Sequence, residues 1–253
     1  MMIDVEEYSM ISAESYFDGR SFESLDIVVE RVHDDLPEMR EEMTQKPWKH
    51  GSFVNGLSLN SRQITLECRY LGEKWQDFEE LKDAIADWLI TEEDKKLQLR
   101  THPGQYYLAH YLSFVEGERE GGTGIGGFEL NFTASDPIRY GEERSYVTGS
   151  QSADYFEVAG NERASMVITV RNAIASGGIW SLTCNDYTMS VDVGNSYPST
   201  IVFDCVNRVV KVNDVIRGVT LDSKWPTFEP GRWFCRVSRG SGTATFSWTQ
   251  RYR

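Results

Sequence analysis

The sequence predicts a mainly β protein of two domains, the first β-rich with a single α-helix and the second a β-sandwich. Three observations carry this. Apolar and aromatic residues recur with period two through most of the chain. One segment, 75–90, repeats instead at three- and four-residue steps. Beyond residue 153, short strand signals follow one another closely, separated by Gly, Asn, Asp and Pro clusters, as in a sandwich. A chain of 253 residues with 40% hydrophobic content holds one large β domain or two of ordinary size.

In the first half, Leu25–Val32, Arg62–Tyr70 and Phe128–Ala134 read as half-buried strands: Ile64, Leu66, Cys68 and Tyr70 face one way, Thr65, Glu67 and Arg69 the other. In the helix, Trp75, Phe78, Leu81, Ile85, Trp88 and Leu89 form an apolar stripe opposite Glu79, Glu80, Lys82, Asp83 and Asp87. Strand patterning resumes at Leu97–Arg100 and again in Tyr106–Tyr111. Between His33 and Leu57 periodicity is lost among Pro37, Pro47, Gly51 and Gly56, so no buried strand is expected there. An excursion of this length is uncommon in a compact domain unless a partner covers it. Its apolar members point to that partner, and Pro37, Pro47, Trp48, Phe53 and Val54 are the expected oligomer contacts.

The polar segment Asp136–Ala153, with Pro137, Gly141 and Gly149, reads as the boundary, giving domains 1–140 and 141–253. After it, Ala164–Arg171, Ile179–Cys184, Thr200–Val206, Val209–Val212, Arg232–Val237 and Thr243–Trp248 are strand candidates.

Charge divides the chain at nearly the same place. Residues 1–150 carry 30 Asp plus Glu against 15 Lys plus Arg, and 151–253 carry 9 against 11. A net charge of −13 disfavours specific DNA binding and attraction to anionic lipid. The same charge suits a wall past which DNA moves without adhering. No apolar run approaches the roughly 20 residues needed to cross a bilayer, and Met1–Glu7 is acidic where a secretory signal is basic, so folding in the cytoplasm is expected. Cys68, Cys184, Cys205 and Cys235 show no C-x-x-C and sit in apolar runs, as reduced core thiols do.

Catalytic and cofactor patterns fail on context. Gly122, Gly124 and Gly127 satisfy G-x-G-x-x-G, but Glu116, Glu118 and Glu120 precede it and a strand pattern follows, so a hairpin turn is expected. His33, His50, His102 and His110 have no zinc spacing on a helix face, and no nucleophile motif occurs. Neither cofactor nor metal is therefore expected, and the chain reads as a non-enzyme. The sandwich tryptophans Trp180, Trp225 and Trp233 are core residues on the simpler reading. On the alternative one, they stack on sugar rings in a carbohydrate-binding module that recognises host wall or capsule sugar.

The order of signals resembles a family. Asp18-Gly19-Arg20-Ser21-Phe22 precedes the first strand. The Pro-punctuated excursion, the strand from Arg62, the helix Leu81–Leu89 and the strand Phe128–Phe132 ending in Ala134-Ser135-Asp136-Pro137 follow. In the second half come Ile201-Val202-Phe203-Asp204, then Arg208–Asn213, and a late turn at Phe228, Pro230 and Gly231. Together these resemble the distal tail (Dit) proteins of long, non-contractile-tailed bacteriophages. The resemblance implies a ring-forming N-terminal domain and a galectin-like or carbohydrate-module-like C-terminal sandwich. It implies a homo-hexamer, with one ring or two stacked, around the DNA exit channel of the tail tip. It also implies contacts with the tail tube protein, the tape-measure protein and a tail-associated lysin or fibre protein, with DNA only passing through and no membrane bound.

Overall fold

The period-two runs become strands and the one helical run becomes a helix, which places most of the core where the pattern put it. The computed structural model describes residues 14–48, 50–72, 75–117, 127–148, 154–194 and 198–253, and the side chains of Trp75, Gln76, Asp77 and Glu79 also lie outside that description. Gly122 and Gly124, the N-terminal residues 1–13 and part of the expected boundary, 149–153, are therefore outside it. The chain divides into two compact units, Met1–Arg139 and Tyr140–Arg253.

The first unit contains β1 (Tyr16–Phe17), β2 (Arg20–Ser21), a 3₁₀ turn (Phe22–Leu25), β3 (Ile27–His33), β4 (Met39–Gln45), β5 (Ser52–Leu59), β6 (Arg62–Tyr70), α1 (Trp75–Leu89), β7 (Lys95–Gln98), β8 (Tyr106–Glu116) and β9 (Gly127–Ala134). One sheet runs in the order β3-β6-β9-β8-β7-β1-β2. β8 spans two neighbours, pairing Tyr106–Ala109 with β7 and His110–Glu116 with β9. Asp18 and Gly19, both at positive φ, close the β1–β2 hairpin, as a two-residue turn of this hand requires. β6 alternates as expected: Ile64, Leu66 and Cys68 are buried, while Thr65 bonds Asn131 on the outer side. β8 and β9 are antiparallel, with Glu116 opposite Phe128, and Gly127, the last glycine of the motif, begins β9.

The helix buries Phe78, Leu81, Ile85 and Leu89 against Phe17, Phe22, Phe128 and Phe132. Trp88 lies at the margin of this stripe and is half-buried. Its Nε1 donates to the Phe17 carbonyl at 3.2 Å, its ring meets Phe22 at 4.9 Å, and Arg20 lies over it at 5.2 Å.

The second unit begins with β10 (Arg139–Thr148), which occupies most of the stretch expected to be a boundary segment. Its alternation was hidden because Glu142, Glu143 and Arg144 are all exposed. There follow β11 (Asp154–Val158), β12 (Val167–Ile174), β13 (Ile179–Cys184), β14 (Tyr187–Asp192), β15 (Thr200–Asp204), β16 (Val209–Val212), β17 (Val215–Arg217), β18 (Gly231–Arg239) and β19 (Ser241–Tyr252). Two sheets, β17-β16-β15-β12-β19-β10 and β11-β18-β13-β14, enclose a core that includes Phe156, Ile168, Trp180, Leu182, Phe203, Phe228, Trp233 and Phe246. The β15–β16 hairpin turns on Arg208 at positive φ, with the Asp204 carboxylate accepting from the backbone amides of Val206 and Asn207. Cys68, Cys184 and Cys235 are buried and Cys205 partly so; burial pushes the Cys68 and Cys205 thiols up to about 12.

Removing the half-buried Trp88 ring costs its packing on Phe17 and Phe22. Trp88→Ala is expected to destabilise the first unit by about 2–3 kcal/mol, below the range for a fully buried aromatic. Chemical denaturation monitors this, and a loss under 0.5 kcal/mol means the ring does not brace the helix.

Candidate functional site

The excursion between β3 and β6 is a β-hairpin arm, not an irregular loop: β4 and β5 pair with each other in a sheet of their own. Every residue of β4 is exposed, which is why no burial pattern marked it as a strand. The register holds the reason that periodicity was lost. Glu42 faces Gly56 and the next residue, Met43, faces Val54, so Asn55 is an extra residue on β5. Leu57 is three positions after Val54, an odd step that in a regular strand puts the two on opposite faces. The bulge returns them to the same one.

Cross-strand partners share a face, and the register therefore sorts the arm. Met39, Met43, Val54, Leu57 and Leu59 occupy one side, with Glu41 and Gln45 among them. Arg40, Glu42, Thr44, Phe53 and Ser58 occupy the other, where Lys46 lies 5.3 Å from the Phe53 ring. Met39 is 58% exposed, Met43 54%, Val54 54% and Leu57 60%. Isolated two-stranded hairpins are marginal in water, and an amphipathic one with its apolar side uncovered is built to be covered.

The expected contact residues all fall on or beside this arm but do not make one patch. Val54 lies on the apolar face, Phe53 on the opposite face, and Trp48 is 82% exposed beyond the end of β4. Pro47 adjoins Trp48, and Pro37 precedes β4. Missed were Met39, Met43 and Leu57, together with Leu36 at 84% exposure. The alternation Met39, Glu41, Met43 was available in the sequence, but the bulge on the facing strand broke the matching half.

The roots of the arm are held by a buried polar cluster. Asp34 directly follows β3 and Arg62 opens β6, and their side chains are only 6% and 3% exposed. Arg62 Nη1 lies 3.1 Å from Asp34 Oδ1, and the Tyr107 hydroxyl donates to Oδ2 at 2.8 Å. His102 Nε2 approaches Oδ2 at 3.2 Å, and Arg139 Nη1 comes within 4.0 Å of the same oxygen while also contacting His102. One carboxylate thus serves two guanidiniums, a phenol and an imidazole. Burial, with Asp34 beside it, pushes the Tyr107 phenol well up. Burial and the neighbouring Arg139 hold His102 below its ordinary value, outweighing Asp34, so the ring is neutral at pH 7. Breaking such a cluster by removing one partner leaves an uncompensated buried charge.

The sugar-stacking assignment is corrected at two of its three residues. Trp180 is fully buried, with its Nε1 donating to the Ser241 carbonyl at 2.9 Å, and Trp233 is 6% exposed and packs on Phe228 at 4.6 Å. Trp225 is partly buried, edge-on to Phe203. Trp180 and Trp233 supply apolar area to the sandwich core, so neither offers a ring face to a ligand.

His102 gives the cluster a pH signature. Its folded pKa lies below the unfolded value of about 6.5, so the unfolded chain binds the proton more readily. Stability is therefore full above about pH 6.5 and declines as pH falls through the window below it. Melting temperatures between pH 7.5 and 5 are expected to fall less in His102→Gln than in the parent. Equal losses in the two proteins contradict the neutral, partly buried assignment.

Two family resemblances divide the chain at the same region as its two units. Residues 18–134 match the phage tail protein RIFT-related domain, and residues 159–252 match the siphovirus-type tail component C-terminal domain. Among solved structures, the crystal structure of SPP1 Dit, described as a paradigm of the hub adsorption apparatus in phages infecting Gram-positive bacteria, aligns with a TM-score of 0.74 at 15% identity. That alignment covers 95% of this chain and 99% of the other. The phage P2 baseplate in its activated conformation aligns with TM-scores of 0.41 with calcium and 0.39 with strontium, at 10% and 9% identity. Each covers 87% of this chain and 90% of the other. No curated protein sequence matches. Together the two family matches span most of the sequence, and the chain belongs to the distal tail (Dit) family of siphovirus tail components.

Proposed function

We propose that this tail component is the structural hub of the tail tip, closing into a homo-hexameric ring through which DNA leaves the tail. The observation that carries the reading is the amphipathic arm: Met39, Met43, Val54 and Leu57 share one exposed face, on a strand pair that, among the described residues, forms a sheet of its own. Covering the exposed parts of these side chains, a little over half of each, contributes roughly 1–1.5 kcal/mol apiece and favours association. A contact between an arm and a different surface of the next copy is heterologous, and with the right rotation it closes into a ring. Six copies follow from the family resemblance. The hub joins the tail tube and tape-measure proteins on one side to a lysin or fibre protein on the other, and acts by binding rather than by catalysis.

The acidic balance of the first half supports the passage of DNA. Phosphates moving past a wall of like charge do not adhere, and repulsion at that wall favours transit.

The assembly is tested on the full chain by light scattering after size exclusion. The parent is expected at the mass of six copies, and Met43→Ser with Val54→Ser and Leu57→Ser at the mass of one, with an unchanged circular dichroism spectrum. A parent that is monomeric at high micromolar concentration, or a triple variant with the parent's mass, overturns the arm as the ring contact.

A further inference from the structure

Cys184 and Cys235 meet across the two central strands of the sheet β11-β18-β13-β14. They are direct register partners, Cys184 on β13 and Cys235 on β18, and both are fully buried. The hydrogen bonds beside them fix the kind of pair they form. The Asn185 amide, one residue beyond Cys184, donates at 2.9 Å to the carbonyl of Phe234, one residue before Cys235. In an antiparallel ladder this bond flanks a non-hydrogen-bonded pair, whose α-carbons lie about 4.5 Å apart and whose side chains approach more closely than those of a hydrogen-bonded pair. The Asn185 side chain accepts from the Phe234 amide at 2.9 Å and pins the same end. A disulfide spans α-carbons about 4.4–6.8 Å apart, so the backbone already stands where such a bond needs it. The two sulfurs are 2.7 Å apart. That is closer than unbonded sulfurs come to rest, and a fraction of an ångström beyond the covalent distance of about 2.05 Å. The other two cysteines have no such partner: Cys68, in the first unit, donates to the Leu66 carbonyl, and Cys205 touches no sulfur among the described residues.

We propose that Cys184 and Cys235 are the site of a disulfide that clips β13 to β18 once the chain meets an oxidising pool. The oxidant is a small-molecule disulfide. The thiolate of one cysteine attacks a sulfur of that molecule, whose S–S bond breaks and releases a first small thiolate. The thiolate of the second cysteine then attacks the sulfur of the first, forming the bond between the strands and expelling the other small thiolate. Two protons pass from the cysteine thiols to the two leaving thiolates, so the protein loses two hydrogens and the oxidant gains them. Both cysteines are sealed in the core, and burial pushes the Cys184 thiol well up, so the attacking thiolate is scarce in the folded unit. Exchange therefore takes place while the strands close or open, and the finished bond is shielded from reductants. Virion surfaces are among the oxidising places where disulfides persist, and the family of this chain is one of tail components. The two cysteines stand 51 positions apart, and the loop they close carries β14 to β17, so the bond restricts the unfolded chain over a long stretch. It forms without the arm and without the ring.

The test refolds the full chain from denaturant in a mixture of oxidised and reduced glutathione and, in parallel, in dithiothreitol alone. Remaining thiols are blocked with iodoacetamide in denaturant, and the peptides are mapped by mass spectrometry without reduction. The oxidised sample is expected to yield the Cys184 and Cys235 peptides joined, lighter than their sum by two hydrogens, with Cys68 and Cys205 alkylated. It is expected to melt at least about 5 °C above the dithiothreitol sample. Dithiothreitol should reduce the bond at least tenfold more slowly in the folded chain than in denaturant. Cys184→Ala with Cys235→Ala should melt at one temperature after either refolding, and if that variant does not fold, the peptide map of the parent decides alone. Four alkylated cysteines in the oxidised parent, or joined peptides in which Cys68 or Cys205 appears as often, overturn the proposal. So does an oxidised parent that melts no higher than the reduced one, or a bond reduced equally fast with and without denaturant.

Discussion

An apolar strand face that its own chain leaves in water is the constraint on which the rest of this molecule turns. Among the described residues, β4 and β5 form a two-stranded sheet of their own, and Met39, Met43, Val54 and Leu57 line one side of the pair with more than half of each exposed. Two features brace the roots of the arm. β3 and β6 run antiparallel in the body, so the two legs leave side by side. Asp34 on one leg and Arg62 on the other are locked in a buried cluster with Tyr107, His102 and Arg139. A free hinge at this point leaves the arm to sweep many orientations and charges each contact with their loss. The buried cluster removes that freedom before any partner arrives.

The strands of the body were legible because each has one wet and one dry face, as in β6, where Ile64, Leu66 and Cys68 alternate with Thr65, Glu67 and Arg69. The helix was legible for the equivalent reason at period 3.6. What failed was any strand without such a contrast. β4 is exposed on both faces, with Met39 and Met43 as its apolar alternation among charged residues, and β10 exposes Glu142, Glu143 and Arg144 in succession, so neither strand shows a wet face against a dry one. The bulge at Asn55 added a second obstacle, because pairing across strands, not spacing along one, decides which residues of β5 share a face with β4.

The same distinction explains the site residues. Trp48, Phe53 and Val54 stand out in the sequence as large apolar residues in a polar stretch, but their distribution over the tip and two faces depends on register. Trp180 and Trp233 show the converse: a tryptophan on a strand reads the same whether it points into a sandwich or out of it, and here both point in. The root cluster was invisible because its five members come from four separate places in the sequence, and no local pattern links Asp34 to Tyr107 or Arg139.

The most direct measurement is photo-crosslinking of the assembled protein with a photoreactive amino acid in place of Leu57, followed by mass spectrometry of the joined peptides. Two copies that carry different isotope labels separate bonds between copies from bonds within one. The account predicts crosslinks joining position 57 of one copy to the body of another. Crosslinks confined to a single chain, or none in the assembled particle, contradict it.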